Sequence, residues 1–361
     1  MTNIVFGKSA DYPEIVDNYD GILVDEEQDM DVYVYQVENK AKAADGTYSI
    51  YVLSDGVIYA PKDSMDLFRN MKKLESINAS GLDVSRVENL ESAFRSCTGL
   101  KTLDVTGWDT SKVTNLYGTF LNCTSLQTIT GLETWDTSSV TTTNRLFSQC
   151  PALTTMDLST WNLSSVTDAE RMFYKCEVLE ELDGSNWNFR NLSNALNMFK
   201  YCYKLREITG MGNWNTGNLE VCWDMFALCH KLESLEGMEN WDTRNVEGFY
   251  EMFSCCYKLE VLDLSSFVTT SLTDAYRNFN NCTNLKTIYV GDGWDMSKVT
   301  SSAAMFSNCK NLVGGNGTTY MGSDLKYACV DTPAVVDEEG NVITEAIPGY
   351  LTYKAAEKTF P

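Results

Sequence analysis

The chain of 361 residues contains one histidine, His230, and six prolines. A single histidine excludes a multi-histidine metal site and leaves one imidazole as a general base. No two cysteines stand at Cys-x2-Cys spacing, so no cysteine-ligated zinc, and no other metal or cofactor, is expected. There is no glycine-rich phosphate loop and no Gly-x-Ser-x-Gly elbow. Cys229–His230 comes nearest to a nucleophile with its base, but Cys229 belongs to a structural column described below. The chain therefore reads as a non-enzyme. No run reaches 18 apolar residues, so no direct membrane insertion is expected. The opening MTNIVFGKSADYPEIVDNYD has neither a basic nor an apolar signal region, and the closing GYLTYKAAEKTFP has no hydrophobic anchor. Export after removal of a signal, or by a route that needs none, is the expectation.

Bases are also scarce: 28 against 50 acids, a net charge of −22. That field repels a phosphate backbone, whose affinity for proteins rests on basic contacts, so no nucleic-acid partner is expected. Anionic membrane surfaces are disfavoured for the same reason. The ends are the most acidic: residues 1–60 carry 12 acids and 3 bases, and residues 313–361 carry 7 acids and 3 bases. Solubility and protection against end-to-end stacking account for such ends.

What the chain has in abundance is repetition. Phenylalanines stand at 68, 94, 120, 147, 173, 199, 226, 253, 279 and 306, spaced by 26 or 27 residues. Three residues after each comes a cysteine: Cys97, Cys123, Cys150, Cys176, Cys202, Cys229, Cys256, Cys282 or Cys309, with Met71 in the first copy. Three further on is a leucine, from Leu74 to Leu312. An aromatic column follows, with Trp108, Trp135, Trp161, Trp187, Trp214, Trp241, Phe267 and Trp294. A period of this length with fixed leucines signals a leucine-rich-repeat-type coil. The Cys and Trp columns read as structural ladders, the cysteines as buried free thiols.

Within one copy, LKTLDVTGW alternates as a short half-buried strand and ends in a Gly/Asp/Ser/Thr turn. Thr167-Asp168-Ala169-Glu170 has capping-box spacing, and Thr114, Thr141, Thr273 and Thr300 share its column, which predicts a short helix carrying Met172, Phe173 and Cys176 on one face. Trp223, Tyr250 and Tyr276, three residues before their phenylalanines, would then face the core. In the longer copies the extra residue lies between strand and Trp, as in ITGLETW, and predicts a bulge at one rim. The expected fold class is α/β: a leucine-rich-repeat-like right-handed solenoid of about ten coils, each a short parallel strand plus a short helix. Its divisions are an acidic β-rich N-terminal cap or attachment segment at 1–60, the solenoid at 61–312 and a C-terminal cap at 313–361. MDVYVYQV, Asp45-Gly46 and YSIYVL-SDG-VIYA predict a meander in the first cap, and PAVVDEEGNVITE a hairpin in the last.

The string FLNCTSLQTITGLETWDTSSVT, with its near-copies FRSCTGLKTLDVTGWDTSKVT and FSQCPALTTMDLSTWNLSSVT, resembles the repeat of BspA-type leucine-rich-repeat surface proteins of bacteria. IYAPKDSMDLF and IPGYLTYK resemble that family's ends, so the likeness covers about residues 57–352. It implies a curved solenoid on a cell or particle surface that binds protein or glycan, and it supplies no catalytic residues.

Two surfaces remain as candidates. The outward strand column includes Asp104, Asp157, Asp183 and Asp263, an acidic stripe that is either an ordinary solvated face or a binding face. The positions after the column cysteines hold Tyr203, His230 and Tyr257 in three consecutive copies, followed by Lys204, Lys231 and Lys258. Aromatics beside adaptable cations suit protein or glycan contacts, whereas simple duplication would leave the same residues behind. The expected function is non-catalytic recognition or adhesion at a bacterial surface. The alternative is a virion structural, decoration or host-recognition protein on a phage particle, with virion or homo-oligomeric assembly through the N-terminal segment.

Overall fold

The Phe, Leu and Cys columns lie in the interior of successive coils in a computed structural model that describes residues 1–23, 32–38, 47–337 and 339–357. The chain packs as two units, residues 1–162 and 163–361. In the first, strands β1 (Asn3–Lys8), β2 (Ile22–Leu23), β3 (Val32–Glu38) and β4 (Tyr48–Ser54) precede β5 (Ile58–Tyr59), β6 (Ser76–Asn78), β7 (Leu82–Asp83), β8 (Thr102–Asp104) and β9 (Thr128–Thr130). One sheet runs β2-β3-β4-β1-β6-β8-β9. Its coil strands are parallel, with Leu103 beside Ile77 and Ile129. Strand β1, which carries no strong sequence signal, lies parallel to both β4 and β6 and joins the cap to the first coil. Ile15, from the short helix α1 (Pro13–Val16), packs with Tyr35 and Leu53 as the core of that cap.

The expected meander is half present. Strands β3 and β4 pair antiparallel, and Asp45-Gly46 lies outside the described residues. The second expected hairpin does not form. Strand β5 instead pairs parallel with β7, and the Ala60 N–H donates to the Asp83 carbonyl, which buries Ile58 against the first coil.

The second unit contains β10 (Glu181–Asp183), β11 (Glu207–Thr209), β12 (Val261–Leu264), β13 (Thr287–Val290), the hairpin β14 (Val335–Val336) with β15 (Val342–Thr344), and β16 (Leu351–Tyr353). The hairpin is where the sequence placed it. Strand β16 adds parallel to β13. Buried Tyr350 sets its ring edge-on to Phe306 at 5.2 Å, and its hydroxyl accepts the Met321 and Gly322 N–H groups, which closes the last coil.

The predicted helix of each coil is absent. Among the described residues the only α-helix is α1. The segment around each Phe is a run of turns in which alternate N–H groups leave the coil: Ser92, Phe94 and Ser96 donate to Tyr117, Thr119 and Leu121, 25 residues on. The residues between them bond within the turn, as Arg95 N–H does to Ser92 O. Two residues per coil, four apart, sit in the left-handed region, among them Ser92, Ser96, Arg171, Lys175, Asn197 and Tyr201. Each such non-glycine costs roughly 1 kcal/mol, and the inter-coil bonds, each contributing about 1 kcal/mol, offset it. The threonine column is no N-cap. Thr114 and Thr141 donate their hydroxyls to the carbonyls of Glu88 and Thr114 in the preceding coil.

The expected bulge is likewise a different device. In three long copies the extra residue forms a 3-10 turn, Leu132–Thr134, Met211–Asn213 and Met238–Asn240, each entered by a left-handed glycine. A Cβ on Gly131 would lie 2.5 Å from Thr106 N, so both its φ of 97° and the adjacent backbone demand glycine.

Inside the coils, identical side chains stack on their copies. Phe94 and Phe120 lie 5.4 Å apart, and Trp108 and Trp135 5.9 Å apart with rings inclined by 4°. Trp108 donates its indole N–H to Ala79 O in the preceding coil, and Trp161 donates to Leu132 O. The column cysteines are buried and unbridged. Their thiols donate to the preceding coil's Phe carbonyl, Cys123 to Phe94 at 3.0 Å and Cys229 to Phe199 at 3.2 Å. Burial pushes the Cys97 thiol up to about 11 and the Cys202 thiol up to about 12. Buried threonines two residues after Trp complete the set: Thr216 donates to Asp242 O and accepts from Asp242 N–H.

Two measurements check this packing. Thr216→Val keeps the shape but strands the Asp242 N–H, and should destabilise the chain by roughly 1–3 kcal/mol in urea unfolding, with Thr216→Ser losing less; equal stability of the valine variant would contradict the bonding. In native protein a thiol reagent should titrate only the half-buried Cys255 and Cys329, and all twelve cysteines after unfolding. Labelling of the column cysteines at the same rate would refute their burial.

Candidate binding surfaces

The aspartates of the acidic stripe have a structural role. Asp104, Asp157, Asp183 and Asp263 each accept, through Oδ1, the N–H two residues on: Thr106, Ser159, Ser185 and Ser265, at 2.9–3.0 Å. These are side-chain turns, which at Asp104, Asp183 and Asp263 end the strands. Hydrogen bonds from Ser185 hold the Asp183 carboxyl below the usual carboxylate range. Burial acts to raise Asp263, but Lys354, which pairs with it, and Ser265 outweigh that and hold it low. The Asp-x-Ser that follows Trp repeats the device, as Asp109 accepts from Ser111 N–H.

Between β11 and β12 the sheet of the second unit opens. Ser234 Oγ accepts the Glu236 N–H, and no strand forms at 233–236. Coil register places Glu233 next to Glu260 and Glu236 next to Asp263, like charges that weaken pairing across the gap. The opening is a groove of about 650 Å³ lined by Glu233, Glu236, Glu260 and the half-exposed Val261, with Lys258 and Lys354 as its cations.

The second stripe does come together. The rings of Tyr203 and His230, and of His230 and Tyr257, lie 4.8 Å apart with planes inclined by 32°. Lys204, Lys231 and Lys258 stand exposed beside them. The row extends beyond its sequence-marked members. Tyr201 meets Tyr203 edge-on at 5.9 Å and Tyr174 edge-on at 5.4 Å, while the Lys175 ammonium sits 5.5 Å from the rings of both Tyr174 and Tyr201. The signal for these three lay in the columns just after Phe, where Tyr174-Lys175 is followed one coil later by Lys200-Tyr201. Trp223, expected on the core side, is 42% exposed, and Tyr250 and Tyr276 are half-buried and stacked at 5.1 Å. Without a helix, a spacing of three does not carry a side chain to the face of its Phe.

Ring geometry limits what the row can hold. Faces of Tyr203, His230 and Tyr257 are turned to one another, so edges and hydroxyls point outward, which suits protein contacts better than flat stacking on sugar rings. His230 Nε2 is buried without a hydrogen-bond partner, and burial together with Lys231 pulls the imidazole below its usual value.

Comparison with known proteins gives the family. The family described as "Mycoplasma protein of unknown function, DUF285" matches residues 62–181, 88–209 and 204–316. The chain belongs to this family. The matched span contains the coils, the acidic groove's strand positions and the aromatic row. A crystallised leucine-rich repeat protein from Bacteroides ovatus is similar at 16% identity, covering 82% of this chain and 92% of that one, with a TM-score of 0.34. No curated protein matches.

As the only histidine, His230 gives an isolated NMR titration. It should show a midpoint below the ordinary value of about 6.5. The unfolded chain then binds more protons than the folded one as pH drops through about 6.5, so stability should be full above that value and fall below it. His230→Gln should abolish that part of the pH dependence. A midpoint above 6.5 would contradict the enclosed, unpaired imidazole.

Proposed function

We propose that this DUF285 chain is a non-catalytic recognition protein of a bacterial surface, similar in role to the BspA-type proteins its repeats resemble, and that its aromatic–lysine row binds an acidic partner protein. The observation that carries this reading is the lysine ladder. Several cations of these coils pair with acids of the adjacent coil, as Lys101 does with Glu75, Lys200 with Asp224, Lys286 with Glu260 and Arg277 with Glu251. Lys204, Lys231 and Lys258 stand one coil apart with no carboxylate at ion-pair distance among the described residues. Three like charges at that spacing repel one another, and an anionic partner relieves the repulsion. Tyrosine edges and hydroxyls beside them are common anchors of protein interfaces. Twelve unbridged cysteines also suit folding in a reducing compartment, which favours a virion protein as the second reading.

A fluorescein-labelled Glu/Tyr-rich peptide tests the row, with the lysine variant separating it from the chain's other basic surface. It should bind the wild type in a salt-sensitive manner. The triple variant Lys204→Gln/Lys231→Gln/Lys258→Gln should lose binding while unfolding normally, and Tyr257→Ala should weaken it about 30-fold, the equivalent of ~2 kcal/mol. Unchanged affinity in the triple variant would discard the row.

A further inference from the structure

Strands β14 and β15 form a two-stranded sheet with neither face covered: Val335, Val336, Val342 and Ile343 are all more than half exposed, as is Ile347 at its base. The hairpin is nevertheless built with care. Asp337 Oδ1 accepts the Glu339 and Asn341 N–H groups, Asp337 N–H donates to Asn341 O, and Thr332 and Ile347 exchange backbone bonds at the base. An isolated hairpin is marginal in water, and apolar side chains held this far out are a docking element. Its charges are acidic, with Glu339 and Glu345 exposed and no base between Thr332 and Ile347. A like hairpin from a second copy is therefore disfavoured, and the surface that covers it must be apolar and basic.

The first unit offers such a surface. A hollow of about 620 Å³ is lined by Tyr59, Ala60 and Pro61 together with Lys62, Arg86, Lys112 and Glu88; Lys62 pairs with Glu88 at 2.9 Å, which leaves Arg86 and Lys112 as its excess positive charge. The Arg86 guanidinium carbon lies 3.8 Å from the centre of the Tyr59 ring, and the side chain is exposed with no carboxylate at ion-pair distance among the described residues. Strand β5, which supplies Tyr59, is the outer strand of a two-stranded sheet, and no strand pairs with its other edge among the described residues. The lysine ladder of the second unit has cations but no free strand edge.

We propose that the acidic β14–β15 hairpin of one copy docks on the basic Tyr59–Arg86 hollow of a second copy, alongside the free edge of β5, so that copies join head to tail. The contact joins two different surfaces, the hairpin of one copy and the hollow of another. It is independent of the aromatic–lysine row.

Sedimentation equilibrium reads the outcome. Wild-type protein should exceed its monomer mass of 40.5 kDa increasingly with concentration, and added salt should reverse this. Arg86→Glu retains an intact hairpin but spoils the hollow; Ile343→Asp/Glu345→Lys retains the hollow but spoils the hairpin. Each should be monomeric alone, and the two mixed should give 1:1 pairs that grow no further. The proposal is overturned if the wild type stays monomeric, if either variant associates like the wild type, if the mixture does not pair, or if the lysine-ladder variant rather than Arg86→Glu abolishes association. Urea unfolding of each variant separates loss of docking from loss of folding.

Discussion

Interior polar groups in these coils find their partners one coil away or, alternating with those, within their own turn. A period of 26 or 27 residues places each carbonyl, hydroxyl and thiol beside the same group of its neighbour, so one coil's carbonyls satisfy the next coil's donors. Phe94 shows the arrangement: its N–H bonds to Thr119 in the following coil, while its carbonyl accepts both its own coil's Cys97 N–H and the Cys123 thiol. A coil cut out alone would leave these groups buried and unpaired, at a cost of about 1–3 kcal/mol each. Cooperativity in such a chain is therefore a nearest-neighbour property.

The columns were legible because they are what this constraint selects. A buried position facing its own copy across about 5 Å needs a ring that stacks, a branched aliphatic or a small group with one donor, and Phe, Trp, Leu, Cys and Thr recur for that reason. The helix was misread for a related one. Threonine before an apolar pair is what an N-cap looks like, yet here the hydroxyl serves the previous coil. The left-handed residues carry no signal either. Asn and Asp tolerate that conformation, but Tyr201 and Leu228 are held in it by inter-coil bonds to Ala227 and Ser254. Strand β1 was missed because its partners β4 and β6 lie more than 40 residues away in sequence.

The surfaces were legible only in part. Counting acids along the strand column found Asp104 and Asp183 but not their work, since an aspartate that accepts the N–H two residues on looks the same in sequence as one that faces a ligand. The tyrosine–lysine row was visible as a departure from duplication, and its extension to Tyr174 and Tyr201 required the coils to be stacked. What marks a surface among the described residues is a row of cations beside stacked rings, apolar strands with no cover, or a strand edge with no neighbour.

Removing one whole coil tests the central claim most directly. Deleting Lys200–Phe226, 27 residues, joins Phe199 to Ala227 and keeps every column in register. The deleted protein should fold cooperatively, with a denaturant slope reduced in proportion to the surface lost. Deleting Lys200–Asn213 instead sets Phe199 before Trp214, breaks the register and should leave that unit unfolded. Equal behaviour of the two deletions, or an unfolded chain after the whole-coil deletion, would contradict a fold held by coil-to-coil partners.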